Sequence, residues 1–254
     1  MPRNVTASAP RRRSRRATYW TLAAIFLALA AGCGESSPPD LEQQVDQHLS
    51  KLKSMRFFAT VLRYHPEAET DIRGRLTEAI KASKSQSPQE GAYGAQVLIA
   101  GLMSDYVQKD IQNASAAALY ASMRQEADVL QRLRRHPELC VNYVMGKPYF
   151  DAPEITPEVL KKEGDVAADL IESAYTHPEP LTQAPSAKEV THALMAASAV
   201  FNVPLKDISD LQNVADLPPE RGCVVLTQFS KLLFQLGPQL GPLTFKQLTY
   251  SSKQ

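Results

Sequence analysis

Nothing in this 254-residue sequence alternates apolar and polar side chains over a useful length, which speaks against half-buried β-strands. Glycine is scarce, at 11 residues, and 44% of the chain is hydrophobic, so helices are the expected element. The 18 prolines read as punctuation between them. No nucleophile elbow, P-loop or dinucleotide fingerprint is present, which counts against hydrolases and nucleotide enzymes. The five histidines lack the close spacing of a zinc motif. The apolar run Tyr19–Ala31 is 13 residues long, whereas a helix needs roughly 20 to cross the hydrocarbon core. A permanent transmembrane anchor is therefore not expected there.

What the N-terminal stretch does contain is an ordered series. Arg11, Arg12, Arg13, Arg15 and Arg16 come first, then the apolar run, then small residues leading to Cys33. That order is the layout of a secretory signal peptide. The ending Leu29-Ala30-Ala31-Gly32-Cys33 resembles the lipobox of bacterial lipoproteins. The resemblance covers the leader alone, and Ala30 stands where the family prefers Leu. It implies a signal peptide over residues 1–32 and acylation of Cys33. Residues 33–39 are then a lipidated tether and 40–254 a helical domain. Gly34 is not the Asp that retains such lipoproteins in the inner membrane, so the resemblance favours the outer membrane, facing the periplasm. Several buried acyl chains, at about 0.8 kcal/mol per methylene, hold firmly where one would not.

The leader also distorts the charge balance. Six of the 28 basic residues precede Cys33 and none of the 27 acidic ones does, so the remainder has 22 against 27, a net of −5. A mildly acidic domain gives no electrostatic reason to expect nucleic acid. Two cysteines follow Cys33, namely Cys140 and Cys223. In an oxidising compartment such a pair is a disulfide candidate; the alternative is two separately buried thiols.

Along the chain, Asp40 reads as a helix cap before Leu41–Tyr64, where Val45, Leu49, Leu52, Met55 and Phe58 recur at helical spacing. A second helix is expected up to Ala82. Ser87-Pro88-Gln89-Glu90 reads as a capping box opening a helix to Val107 that is apolar nearly all round. That helix is the expected centre of the core, with Gly94 and Gly101 admitting a close neighbour. Asn113 is the expected cap of a helix through Arg135, and Thr156-Pro157-Glu158 opens one to Thr176. Residues 177–185, with three prolines, mark a possible subdomain break. A helix from Ser186 to Phe201 follows, and another opens at Pro218-Pro219 and stops at Gly237. The fold class is all-α, either a helical bundle or a short helical-repeat array. Ser54-Met55-Arg56-x-x-Ala59-x-Val61-Leu62 recurs as Ser122-Met123-Arg124-x-x-Ala127-x-Val129-Leu130, each copy followed by His-Pro-Glu. This is either a duplicated helix pair or a coincidence between amphipathic helices.

His-Pro-Glu occurs at 65–67, 136–138 and 177–179. One reading assembles a metal site from these side chains; the other makes each a helix end, since the residue before proline avoids helix. The second is expected, with no metal and no cofactor. His48 and His192 are expected at the surface. Glu172-Ser173 and Gly91-Ala92-Tyr93-Gly94 resemble fragments of lytic transglycosylases, but in reversed order. The expected function is thus a lipid-anchored envelope protein that binds another protein through a helical surface, without catalysis. A peptidoglycan-acting enzyme and a periplasmic immunity protein are the alternatives.

Overall fold

The computed structural model describes residues 40–83, 88–181 and 187–251, which fall within one compact unit, Ser36–Gln254. These residues form an all-α bundle, with no strand among them. In order the helices are α1 (Leu41–Lys53), α2 (Arg56–Tyr64), α3 (Ala68–Ser83), α4 (Pro88–Asp110), α5 (Ala116–Leu133), α6 (Pro137–Val144) and α7 (Pro157–Thr176). Then come α8 (Ala187–Phe201), α9 (Leu205–Asp210), a 3₁₀ turn over Leu211–Asp216, α10 (Pro219–Gln235) and α11 (Gly237–Ser251). None of the described helices is long and apolar enough to cross a membrane.

Side-chain caps explain three of the starts. Asp40 Oδ1 accepts from Gln43 N at 2.8 Å, and Thr156 Oγ1 accepts from Val159 N at 3.4 Å. The α5 cap is Ser115 rather than Asn113; its Oγ accepts from Ala118 N at 3.2 Å. The expected caps Ser87 and Ser186 lie outside the described residues, though α4 and α8 begin directly after them.

The single helix expected over Leu41–Tyr64 is two helices. Met55 takes extended backbone at the junction and its side chain is exposed, so the apolar stripe Val45, Leu49, Leu52 restarts as Phe57, Phe58, Val61. Gly237 ends α10 as expected, with φ of +83°, but α11 follows at once. The Gly-Pro pair at 237–238 serves both as a stop and as a start.

The centre of the bundle is α7, not α4. It packs against α2, α4 and α5 and takes part in three apolar clusters, through Val159, through Ala167 and Ile171, and through Leu170 and Ala174. α4 buries Leu102 and Tyr106 but leaves Val97 exposed. Gly94 and Gly101 do not mediate close packing, since a Cβ at Gly94 would meet nothing within 4 Å and one at Gly101 only Arg75 Nη1 at 3.9 Å. The close approaches occur on α10 and α11 instead. A Cβ at Gly222 would lie 3.0 Å from Val141 Cγ2, and one at Gly241 would lie 2.6 Å from the Leu233 carbonyl oxygen.

Cys140 and Cys223 are joined in a disulfide between α6 and α10, with Cα atoms 5.5 Å apart. Both residues are buried among Val129, Leu130, Leu133 and Leu226.

Candidate functional site

The three His-Pro-Glu motifs adopt one backbone conformation, with φ/ψ of −129/70° at His65, −130/72° at His136 and −142/61° at His177. Each lies at a helix end, as the pre-proline restriction requires. Their side chains go to separate places. His65 Nε2 lies 2.8 Å from Asp110 Oδ2 and 3.2 Å from the Tyr175 hydroxyl, tying the ends of α2, α4 and α7 together. His136 Nε2 lies 3.0 Å from Glu154 Oε2. Glu179 Oε2 accepts from Ala116 N at 2.9 Å, at the exposed start of α5. Among the described residues, no three His, Cys, Asp or Glu side chains converge as metal ligands.

Two other expectations need correction or placement. His48 is buried against the first core, not at the surface, and burial lowers its pKa; His192 is exposed as expected. Glu172 lies on the outer side of α7, 39% exposed, facing Arg56 and Arg63. Cys33, the expected lipidation site, lies outside the described residues.

A polar constellation that sequence reading missed lies between α5 and α7. Glu126 occupies the middle of the α5 stripe Leu119, Met123, Leu130, Leu133, and Glu163 the middle of the α7 stripe Val159, Ala167, Leu170. Tyr149, buried in the loop after α6, donates to Glu163 Oε2 at 2.5 Å. Tyr143 of α6 stacks edge-on against Tyr149, with centroids 4.8 Å apart, and lies beside the same carboxyl. Burial first, then the charge of Glu163, pushes Glu126 up to about 7. Burial also pushes Glu163 up to about 7, against the pull of the neighbouring phenols of Tyr149 and Tyr143. Both phenols are held well above their ordinary range, again chiefly by burial. The signal was present in the spacing, with Glu126 three residues after Met123 and four before Leu130.

The second feature is a surface. α8 buries Leu194 and Ala197 together with Val203 and Leu232. Its outer side carries Met195, Ala196, Ala199 and Val200, paired at i and i+4, and all four are exposed. Val200 is 74% exposed and Met195 49%, and Leu205 at the start of α9 extends the apolar series. The C-terminal half of α8 is therefore apolar on the side it shows as well as the side it buries, while its first half shows Lys188, Glu189, Thr191 and His192. Compared with protein-family models, curated proteins and solved structures, the chain matches none.

Proposed function

We propose that this chain is a lipid-anchored envelope protein, held by acylated Cys33, that binds another protein through the outer face of α8. The anchor rests on the leader, with its arginines, short apolar run and lipobox-like ending. By the same resemblance the domain faces the periplasm, with the outer membrane favoured. The binding role rests on one observation, the exposed series Met195, Ala196, Ala199, Val200. An exposed contiguous apolar surface marks an interaction site.

A protein fits this face better than a bilayer surface does. Helices that lie in membrane interfaces carry Lys and Arg on the polar side and bulky anchors on the other. On α8 the charged residues are Lys188 and Glu189, and two of the four exposed apolar residues are alanines that let a partner helix come close. The test replaces Met195 and Val200 together by Asp in the full tagged chain and asks which envelope protein co-purifies. The paired substitution should abolish co-purification while leaving the melting temperature unchanged. Undiminished capture of the same partner would refute the assignment of this face.

A further inference from the structure

The chain solves one packing problem twice, with different chemistry. The shared Ser-Met-Arg-x-x-Ala-x-Val-Leu pattern runs from the α1–α2 junction into α2 in its first copy and lies within α5 in its second, and both helices pack on α7. At the two positions marked x-x, α2 has Phe57 and Phe58, both fully buried in the core. At the same positions α5 has Gln125 and Glu126. Gln125 is 3% exposed and neither of its amide atoms has a hydrogen-bond partner. An apolar solution is therefore available within this very sequence, and the α5–α7 junction departs from it. Polar groups left in such a place cost stability, so their presence calls for a use.

Among the described residues, the surroundings of the Glu126–Glu163 pair supply a hydrogen-bond donor, Tyr149, but no compensating cation. Facing it are Tyr143 from α6 and Tyr149 from the loop, besides the two carboxyls themselves. The charged groups of the other packed elements are engaged elsewhere. From α2, Arg56 and Arg63 face Asp169 and Glu172; from α4, Asp110 meets His65. From α10, Arg221 binds Asp207 and Asp210, while Glu220 and Lys231 lie outward; from α11, Lys246 reaches the carbonyls of Ala114 and Glu179. On the two helices themselves, Arg132 pairs with Asp128 and Lys161 with Asp165, and Arg124 and Lys162 are exposed. In the loop, Glu154 meets His136 and Lys147 and Asp151 are exposed.

We infer that the α5–α7 junction is a proton-operated latch, closed while the Glu126–Glu163 pair retains a proton and loosened when both carboxyls ionise. With one proton on the pair, a single negative charge accepts the phenol of Tyr149, and residues 145–156 stay fastened to α7. Without it, two like charges meet in a half-buried, cation-free site, where their repulsion is weakly screened. Tyr149, stacked on Tyr143 of α6, is the group that joins α6 and its loop to the pair. This device is independent of the α8 face.

The test uses the full chain purified in detergent. Amide hydrogen exchange, corrected for intrinsic rates, is followed over residues 137–156 between pH 5.5 and 8.5, with α1 and α3 as internal reference. Protection of 137–156 should fall by about tenfold or more with a midpoint near neutrality, while the reference helices hold. In Glu126→Gln, which keeps the shape and removes one charge, protection should stay flat over the same range. A flat profile in the wild type, or an identical fall in Glu126→Gln, would overturn the latch. Should that variant fail to fold, carboxyl-carbon NMR of the ¹³C-glutamate wild-type chain decides. One or both carboxyls titrating near neutrality upholds the latch, and both titrating at the ordinary 4.5 overturns it.

Discussion

Tyr149 donates its phenolic proton to Glu163 across 2.5 Å, and through that bond a loop of twelve residues between α6 and α7 is fastened to the central helix of the bundle. Replacing Tyr149 by Phe keeps the ring against Tyr143 and Phe150 and removes only the donor. The expected loss is about 1–3 kcal/mol, the usual value for a hydrogen bond to a charged group. Urea unfolding near neutrality, where the pair still holds one proton, measures it, and the loss should shrink at pH 8.5, where both carboxyls ionise and the loop is already loosened.

The carboxyl pair also sets a direction for stability against pH. Glu126 and Glu163 are raised to about 7, so between the ordinary carboxylate range and about 7 the folded chain holds protons that the unfolded chain has released. Their contribution to stability is therefore greatest at acid pH, is lost as pH rises toward 7, and changes no further above it. Thermal melts at pH 5.5 and 8 should show the higher melting temperature at the lower pH. The difference should narrow in Glu126→Gln, which should itself be more stable than wild type at pH 8 by about 1–2 kcal/mol.

Much of this fold was legible from residue order alone. Asp40 and Thr156 cap where their spacing implies, the Pro-bearing starts at 88, 157 and 219 open helices, and Cys140 is bonded to Cys223. What escaped reading depends on distant neighbours. The break at Met55 was invisible because its apolar side chain fits the helical period and yet finds no cover. α11 was hidden by Gly237, whose positive φ ends one helix, and by Pro238, which then suits the first turn of the next. The glutamate pair could have been suspected, since Glu126 and Glu163 interrupt apolar stripes, but only the fold shows that the interruptions face each other.

The Cys140–Cys223 bond closes a loop of 83 residues. In the chain-entropy model, cross-links of this span stabilise by roughly 4 kcal/mol. Cys140→Ser, or reduction, should lower the melting temperature by about 8–16 °C for a domain of this size. Non-reducing electrophoresis of the wild-type chain should show the faster-migrating bonded form.

Lys246 is buried near the start of α5, where its ammonium donates to the carbonyl oxygens of Ala114, at 2.6 Å, and Glu179. Burial lowers its pKa, yet the two carbonyls need a donor there. Lys246→Met conserves most of the stem and strands both oxygens, and should cost about 2–4 kcal/mol in chemical denaturation. A neutral result would mean that water replaces the ammonium.

The proposed role rests on the face of α8, and contact in living cells tests it most directly. A photo-crosslinking amino acid placed at Val200, at Met195 and, as a control, at the exposed Lys81 reports what each position touches. The account predicts one discrete protein adduct, of the same mass from Val200 and from Met195, and none from Lys81. Absence of any adduct at the two α8 positions, or adducts with lipid alone, would contradict it.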